Sequence, residues 1–177
     1  MYISEQKQVT SMRQAKVYSW VLLVVGIFCF TSVDAQISTR KLEAIYLYNF
    51  TKYINFPGAS TGYVIGVLKE KDVASELQGN LKNKGEIAVK SISSSGEAKD
   101  CHIIYVPKSA SSQLTALVSE LDEAGVLIVT EEDLASEGAP VSFVIDGSKL
   151  RFKINQLALK KTGLQASSSL LSLAILI

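Results

Sequence analysis

The chain has 177 residues, of which 18 are lysine or arginine and 17 are aspartate or glutamate, and 47% of its residues are hydrophobic. A near-neutral chain without a block of basic residues lacks the positive surface by which proteins bind a phosphate backbone or an anionic membrane. Composition therefore argues against nucleic-acid binding.

The first 35 residues have the pattern of a secretory signal peptide. Arg13 and Lys16 precede an apolar run from Trp20 to Phe30, and small and polar residues then lead to a cleavage-like triplet that ends at Ala35. The apolar run is shorter than the roughly 20 residues with which a helix crosses a bilayer. We therefore expect export to the periplasm, cleavage after about Ala35, and no permanent anchor.

The remaining residues, 36–177, are enough to bury one core, and we expect a single domain. Of the two cysteines, Cys29 leaves with the leader and Cys101 remains, so no disulfide can form within one mature chain. Because Cys101 opens an apolar strand, we expect its thiol to be buried.

An aromatic helix follows the leader. Apolar spacing predicts a helix over residues 41–54. Ser38 or Thr39 can cap its start. Pro57 ends it, because the residue before a proline avoids the helical conformation.

Two apolar stripes run along this helix. One carries Leu42, Ile45, Tyr46, Asn49 and Tyr53, and the other carries Leu47, Phe50 and Ile54. Two interpretations stay open: the rings pack in the core with tyrosine hydroxyls at the surface, or the excess aromatic area contacts a partner. For the second interpretation we name Tyr46, Tyr48 and Tyr53 as the partner-binding residues.

The middle of the chain alternates strands and helices. Continuous apolar runs rich in β-branched residues predict strands at 63–68, 86–92, 102–106 and 125–129. The segments 72–79 and 111–122 have helical spacing. Buried strands that alternate with helices indicate a parallel sheet covered on both faces.

The end of the chain has a different pattern. Apolar and polar residues alternate over 141–154 around a turn at Asp146-Gly147, which predicts a β-hairpin. Asn155 can then cap a helix that Gly163 stops.

A last helix is predicted to begin near Ser167. The apolar run 170–177 is too short to span a bilayer, so we expect it to dock on the sheet. The predicted fold class is therefore α/β: a mostly parallel central sheet flanked by helices, with a C-terminal antiparallel β-hairpin and terminal helices.

The candidates for chemistry are few. His102 is adjacent to Cys101, but neighbouring side chains on a strand point to opposite faces, so the two cannot share a proton or a metal ion. Thr130 and Asp133 have the spacing of a helix capping box, which explains the acidic run there without catalysis. Glycine-rich phosphate loops and nucleophile elbows are missing from the sequence. We therefore predict no enzyme activity and assign no catalytic, cofactor or metal residues.

A parallel sheet still offers a crevice at the carboxyl ends of its strands, where a small ligand can bind. We expect residues 55–62 to form the lip of this crevice. Small-molecule binding without catalysis thus stays open.

Three segments resemble the YfiR-like family of bacterial periplasmic proteins. They are K-L-E-A-I-Y-L-Y-N-F-T-K-Y-I-N-F-P at 41–57, C-H-I-I-Y-V at 101–106, and the block 143–174 that begins F-V-I-D-G-S-K-L-R-F-K-I-N. The family's recurrent positions in the last block are similar to Phe152, Asn155, Gly163-Leu164 and the run Ser167 to Leu171. We expect Phe152, Asn155, Gly163 and Leu171 to anchor the hairpin to the terminal helices.

The resemblance implies a regulator that contacts the periplasmic part of an inner-membrane signalling protein, either a diguanylate cyclase or a sensor kinase. Repression of a cyclase lowers cyclic-di-GMP and biofilm formation. The cysteine pairs of some relatives are missing here, so control through an internal disulfide does not carry over. The alternative is a periplasmic solute-binding domain, and a homodimer also stays open.

Overall fold

The computed structural model describes residues 33–57, 59 and 62–177. The chain divides into two units, Met1–Ser38 and Thr39–Ile177. The account below concerns the second unit, together with the backbone of residues 33–38, which belongs to the first helix. The predicted signal peptide, with its cleavage after about Ala35, lies almost wholly outside the described residues.

Short helices and strands alternate along the described chain. The α-helices are α1 (Val33–Tyr53), α2 (Lys71–Leu81), α3 (Ser95–Ala98), α4 (Leu114–Glu120), α5 (Gln156–Lys161) and α6 (Ser168–Leu171). Two further turns, Lys108–Gln113 and Ala135–Glu137, are 3-10 helices. The strands are β1 (Ile54–Asn55), β2 (Tyr63–Leu68), β3 (Ile87–Ile92), β4 (Ile103–Val106), β5 (Leu127–Thr130), β6 (Val141–Asp146), β7 (Lys149–Ile154), β8 (Gln165–Ala166) and β9 (Ile175–Leu176).

Seven of these strands form one sheet in the order β3-β2-β4-β5-β6-β7-β9. Strands β2 to β6 are parallel, β6 and β7 form an antiparallel hairpin, and β9 runs parallel to β7. The chain reverses its direction of winding between β2 and β4, and in such sheets ligands bind beyond the carboxyl ends of the strands at this switch point. The predicted α/β fold class, with its mostly parallel sheet and C-terminal hairpin, is confirmed.

The sheet has a hydrophobic core on each face because its strands alternate their side chains. In β4, Ile103 and Tyr105 belong to the core shared with α1 and α2, whereas Ile104 and Val106 belong to the core shared with α4. Burial of each such side chain contributes roughly 1.5 to 3 kcal/mol. Both faces are therefore covered, as the continuous apolar strands predicted.

Aromatic rings attach α1 to the hairpin. Tyr46 and Phe50 contact Phe143 in β6, with ring centroids 5.9 and 6.3 Å away, and Phe152 in β7, at 5.2 and 5.3 Å. Such stacked, tilted and edge-on pairs add stability beyond the area that they bury. They fix the helix across β6 and β7.

The start of α1 differs from the prediction. Ser38 and Thr39 lie inside the helix, because it begins at Val33, so neither residue is its N-cap. The helix ends at Tyr53, close to the predicted end and four residues before Pro57. It ends there because the chain turns into β1, which pairs with β8.

The segment before β5 also differs in detail. The predicted helix over 111–122 starts as the 3-10 turn at Lys108 and becomes α-helical only from Leu114 to Glu120. The first described helix after β2 starts at Lys71, with Glu70 rather than Asp72 in the N-cap position. Neither difference changes the strand order.

The last apolar run is helical only at its start, where α6 follows Ser167 as its N-cap, as predicted. After α6, residues Ile175 and Leu176 form the edge strand β9, which pairs with Lys153 and Ile154 of β7. The run therefore docks by backbone pairing at the edge of the sheet. No helix in the described part of the chain is both long enough and apolar enough to cross a membrane.

Candidate functional site

A buried to half-buried cluster of charged and polar side chains lies at the carboxyl ends of β4 and β5. Its members are Arg40 and Glu43 on α1, Tyr105 in β4, and Glu131 directly after β5; we call it the Arg40 cluster. Arg40 Nη1 is 2.8 Å from Glu43 Oε2, and Arg40 Nη2 is 2.9 Å from Glu131 Oε1. One guanidinium thus joins two carboxylates from distant parts of the chain.

Glu43 is the most unusual member, because only 2% of its surface is exposed. Burial raises its pKa to about 7, while the positive charge of Arg40 and the hydroxyl of Tyr105 act in the opposite direction and the charge of Glu131 adds to the rise. Tyr105 Oη donates to Glu43 Oε2 across 3.0 Å. Glu43 therefore changes its charge near neutral pH.

The pKa values of Tyr105 and Arg40 are shifted in the direction that keeps each in its usual charge state. Burial and then the charge of Glu43 raise the pKa of Tyr105, so that its hydroxyl stays protonated. Burial acts to lower the pKa of Arg40, but its interactions with Tyr105, Glu43 and Glu131 raise it on balance. Arg40 also donates to the Tyr105 hydroxyl and lies over its ring, with Cζ 5.6 Å from the centroid.

A cavity of about 420 Å³ opens beside the cluster. Its polar wall comes from α1 and the segment after β5, and its apolar wall comes from the hairpin. The lining residues are Thr39, Glu43, Glu131, Glu132, Asp133, Phe143, Val144, Ile145 and Leu150. The cavity lies at the carboxyl edge of the parallel strands, where sheets of this class bind ligands.

The predicted lip of the crevice lies at the opposite edge. Residues 55–62 lead into the amino end of β2, and parallel strands have their amino ends together, so this segment is not at the carboxyl edge. Its described residues help to line a second cavity of about 480 Å³, next to the β1–β8 pair. The expectation was wrong because the segment precedes its strand, whereas a carboxyl-edge loop must follow one.

The three predicted partner-binding tyrosines differ in their surroundings. Tyr46 is half-buried, and its hydroxyl donates to the Leu150 carbonyl at 3.1 Å. Tyr48 is also half-buried, with the Nζ atoms of Lys52 and Lys84 5.4 and 5.9 Å from its ring centroid. Tyr53 is the exposed one, at 46%. Their role in partner binding stays a prediction.

Apolar side chains on the outside of α1 form a second candidate surface. Leu42 and Ile45 are 41% and 37% exposed, and Tyr53 continues the line two turns further along the helix. We call Leu42, Ile45 and Tyr53 the outer stripe of α1. Exposed Lys41 and Lys52 are on the same helix, so the stripe has positively charged neighbours.

Cys101 and His102 lie just before β4, which begins at Ile103 rather than at the predicted residue 102, and their side chains have different surroundings. The Cys101 thiol is buried and donates to the Glu97 carbonyl at 3.6 Å, and burial raises its pKa. His102 Nδ1 accepts from the Val64 amide at 3.1 Å, its ring contacts Tyr63, and burial lowers its pKa. The two side chains do not act together.

The predicted capping box at Thr130 and Asp133 does not form. Thr130 ends β5, and its buried hydroxyl donates to the Glu132 carbonyl and bonds to the Ser142 hydroxyl, both at 2.7 Å. Asp133 instead pairs with Lys153 at 2.6 Å. The capping interpretation fails because the chain turns straight back to β6 without starting an α-helix.

The predicted anchoring residues lie along the segment from β7 to α6, and their anchoring role stays a prediction. Asn155 Oδ1 accepts from the Ala158 amide at 2.9 Å, as expected of an N-cap. Gly163 follows α5 with φ of +77°, which favours glycine. Phe152 is buried, and Leu171 packs against the same core.

The sequence interpretation missed the Arg40 cluster. One signal was present: Glu43 precedes Leu47 by four residues and Phe50 by seven, so it lies on the buried stripe of the helix. The sequence gives no indication that Tyr105 and Glu131 join this cluster, because their positions beside α1 depend on the order of the strands in the sheet. Among residues 33–57, 59 and 62–177, no three histidine, cysteine or acidic side chains are grouped to hold a metal ion.

Comparisons with known proteins extend over most of the chain. The sequence model of the YfiR/HmsC-like family matches residues 40–175. No curated protein matches the sequence.

Two solved structures are similar to this chain. A conserved domain protein from Vibrio cholerae O1 biovar El Tor is 12% identical with a TM-score of 0.57, over 77% of this chain and 59% of that one, which shows the fold alone. The ABC domain from Streptococcus pneumoniae, solved in complex with L-Trp, is 16% identical with a TM-score of 0.47, over 64% of this chain and 56% of that one, a likeness too weak to support an argument. The matched chains are longer, and this chain spans less than two thirds of each.

Proposed function

We propose that this chain, which belongs to the YfiR/HmsC-like family, regulates a membrane-anchored signalling protein by direct contact; the periplasmic regulatory role that this family suggests supports the proposal. The partner is the periplasmic part of a diguanylate cyclase or a sensor kinase. The contact surface is the outer stripe of α1. The regulator is residues 36–177, acting as a single domain after export.

The observation that supports this proposal is the exposure of Leu42, Ile45 and Tyr53 on a helix whose other face is fully packed. Apolar and aromatic side chains of this size supply most of the binding energy at protein interfaces. Their transfer from water into an interface is favourable. Lys41 and Lys52 beside them favour a partner surface that is apolar with acidic residues at its edge.

Tyr46 and Tyr48 have a supporting role in this proposal. The ring and hydroxyl of Tyr46 hold α1 on the hairpin, through Phe152 and the Leu150 carbonyl. Their substitution would therefore disturb binding through the position of the helix. Tyr53 is the tyrosine that can contact the partner directly.

The experiment compares two charged substitutions in the producing bacterium. Deletion of the gene is expected to raise cyclic-di-GMP and surface attachment, or the output of the partner kinase. When the deletion strain expresses the Ile45→Asp variant, these changes should persist. Leu157→Asp on α5 is the matched control, because Leu157 is 76% exposed and lines a different cavity with Val118 and Leu121.

The comparison of the two variants requires equal amounts of folded protein in the periplasm. Both variants must reach the periplasm at the level of the unmodified chain and keep its melting temperature. If Ile45→Asp then restores regulation fully, the outer stripe is not the contact surface. If deletion changes neither cyclic-di-GMP and surface attachment nor the output of the partner kinase, the regulatory role itself is refuted.

The cavity beside the Arg40 cluster favours a second candidate function, that of a solute-binding domain without catalysis. Its apolar wall and acidic wall fit a small molecule with a positively charged group and a hydrophobic body. Thermal melting with a panel of amines, amino acids and nucleotides tests this function. Melting curves that no compound shifts would exclude it.

A further inference from the structure

Two carboxylates in the Arg40 cluster compete for one guanidinium. Glu43 and Glu131 each accept from Arg40 at under 3 Å, and Glu76 on α2 is 3.6 Å from Arg40 Nε. Glu131 and Glu76 are partly in water, whereas the Glu43 side chain is 3% exposed. The cost of three negative charges around one positive charge therefore falls on Glu43, the carboxylate with least solvent.

The groups that face Glu43 come from every element packed around it. Arg40 lies one turn earlier on α1, and Tyr105 comes from β4. Glu131 follows β5 and reaches the same guanidinium, and it also accepts from the Lys108 amide at 2.8 Å. The hairpin contributes only uncharged neighbours to the cavity, Phe143 and Leu150 among them.

The remaining acidic groups of the cavity have partners of their own. Glu132 pairs with Lys108 at 2.9 Å, and Asp133 pairs with Lys153 at 2.6 Å. These pairs lie at the surface, where solvent screens their charge. Glu43 and Glu131 thus share the single cation Arg40, and Glu43 is the more deeply buried of the two.

We propose that Glu43 is a proton-operated switch that couples the pH of the periplasm to the attachment of α1 to the sheet. Its effect on signalling rests on the proposed function, since the outer stripe belongs to the same helix and Leu42 is the neighbouring residue. Proton binding itself does not depend on that function.

The direction of the switch follows from charge. When Glu43 is protonated, Arg40 is left to Glu131 and Glu76, the repulsion between Glu43 and Glu131 disappears, and the beginning of α1 is held firmly. When Glu43 loses the proton, a buried negative charge is added and the attachment weakens. The pKa of about 7 that burial produces in Glu43 places this change at physiological pH.

The sign of the effect on stability is the same. A carboxyl whose pKa is higher in the folded chain than in the unfolded chain binds a proton preferentially when folded, so stability falls as pH rises from about 4.5 to about 7. His102, the single histidine of the sequence, has a lowered pKa and acts in the opposite direction. A variant at Glu43 is therefore needed to separate the two.

The first test is a direct titration of the unmodified protein. The ¹³C chemical shift of the Glu43 side-chain carboxyl, assigned by comparison with Glu43→Gln, is followed from pH 4 to 9. A midpoint near 7 is expected. A midpoint near 4.5 would overturn the proposal, and this measurement does not require the variant to be as stable as the unmodified chain.

The second test measures the attachment of α1 by amide hydrogen exchange at pH 6 and pH 8, after correction for the intrinsic rates. In the unmodified chain, protection of the amides at Ala44 and Leu47 should be roughly tenfold lower at pH 8. Glu43→Gln should remove this difference, and Glu76→Gln, which changes an exposed neighbour, should keep it.

Equal protection at both pH values in the unmodified chain would refute the switch even if Glu43 titrates near 7. Both tests use the isolated protein. They can therefore succeed when no signalling partner is regulated, and fail when one is, so the two proposals are judged separately.

Discussion

Tyr105 and Glu43 are 62 positions apart in sequence and share a hydrogen bond of 3.0 Å inside the protein. The bond joins the first helix of the described fold to a central strand of the sheet. It also makes the charge of Glu43 depend on a side chain that itself has no contact with solvent.

Tyr105→Phe removes the hydroxyl and keeps the ring. At pH 8 the ionised Glu43 loses a donor, and we expect the free energy of unfolding to fall by about 2 kcal/mol. At pH 6, where Glu43 is largely protonated, the loss should be smaller. Because the hydroxyl favours the ionised form, its removal should also raise the pKa of Glu43. Urea unfolding at the two pH values provides the measurement, and an equal loss at both would contradict this account.

Arg40→Ala leaves Glu43 and Glu131 without their shared cation. We expect a loss of about 3 kcal/mol, because removing one partner of a buried ion pair leaves an uncompensated charge. Arg151→Ala is the matched control, since its pair with Asp146 is well exposed and should cost less than about 1 kcal/mol. Chemical denaturation of both variants measures the loss in the free energy of unfolding. Similar losses would mean that Arg40 contributes no more to stability than an exposed ion pair does.

Asn155 makes two separable contacts. Its Oδ1 accepts from the Ala158 amide and its Nδ2 donates to the Ala135 carbonyl, each at 2.9 Å. Asn155→Ala should cost about 1 kcal/mol or somewhat more, and Asn155→Ser should recover most of the loss by restoring the cap. An unchanged melting temperature in the alanine variant would remove the capping assignment.

Gly66 is tightly surrounded in the centre of β2. A Cβ at this position would lie 2.8 Å from Cys101 Sγ and 2.9 Å from Ile104 Cδ1. Gly66→Ala should therefore cost about 1 to 3 kcal/mol through overpacking. Combining it with Cys101→Ala should return part of this, and a double-mutant cycle measures the coupling. Purely additive losses would show that the thiol does not limit the space.

Much of the fold is predictable from short-range pattern. The strand at Tyr63–Leu68 was located to the residue, because a continuous apolar run there has clear boundaries. The hairpin at 141–154 followed from alternation about Asp146-Gly147. The positions of these segments follow the apolar pattern, but burial departs from it in the hairpin, where Ser142 is buried and Ile145 is 65% exposed.

The two-residue strands could not be predicted in the same way. The pairs β1–β8 and β7–β9 are too short to have a period, and they exist because distant segments meet.

The Arg40 cluster also depends on segments that are distant in sequence. Arg40 and Glu43 have visible helical spacing, but only the order of β4 and β5 in the sheet brings Tyr105 and Glu131 to them. The prediction of a capping box at Thr130 and Asp133 was wrong for a related reason. The Thr130 hydroxyl, which would cap a helix, is bonded instead to the Ser142 hydroxyl of the next strand.

The packing of α1 on the hairpin has a consequence for how the chain is made. The Tyr46 hydroxyl contacts Leu150, which is synthesised 104 residues later, and the rings that cover Phe50 belong to the same late segment. The first described helix can therefore complete the contacts of its aromatic side only after the hairpin has been made, although its other core neighbours, such as Ile65 and Leu77, come earlier. Because contacts between segments far apart in sequence form late, we expect the docking of this helix on the hairpin to be among the last steps of folding.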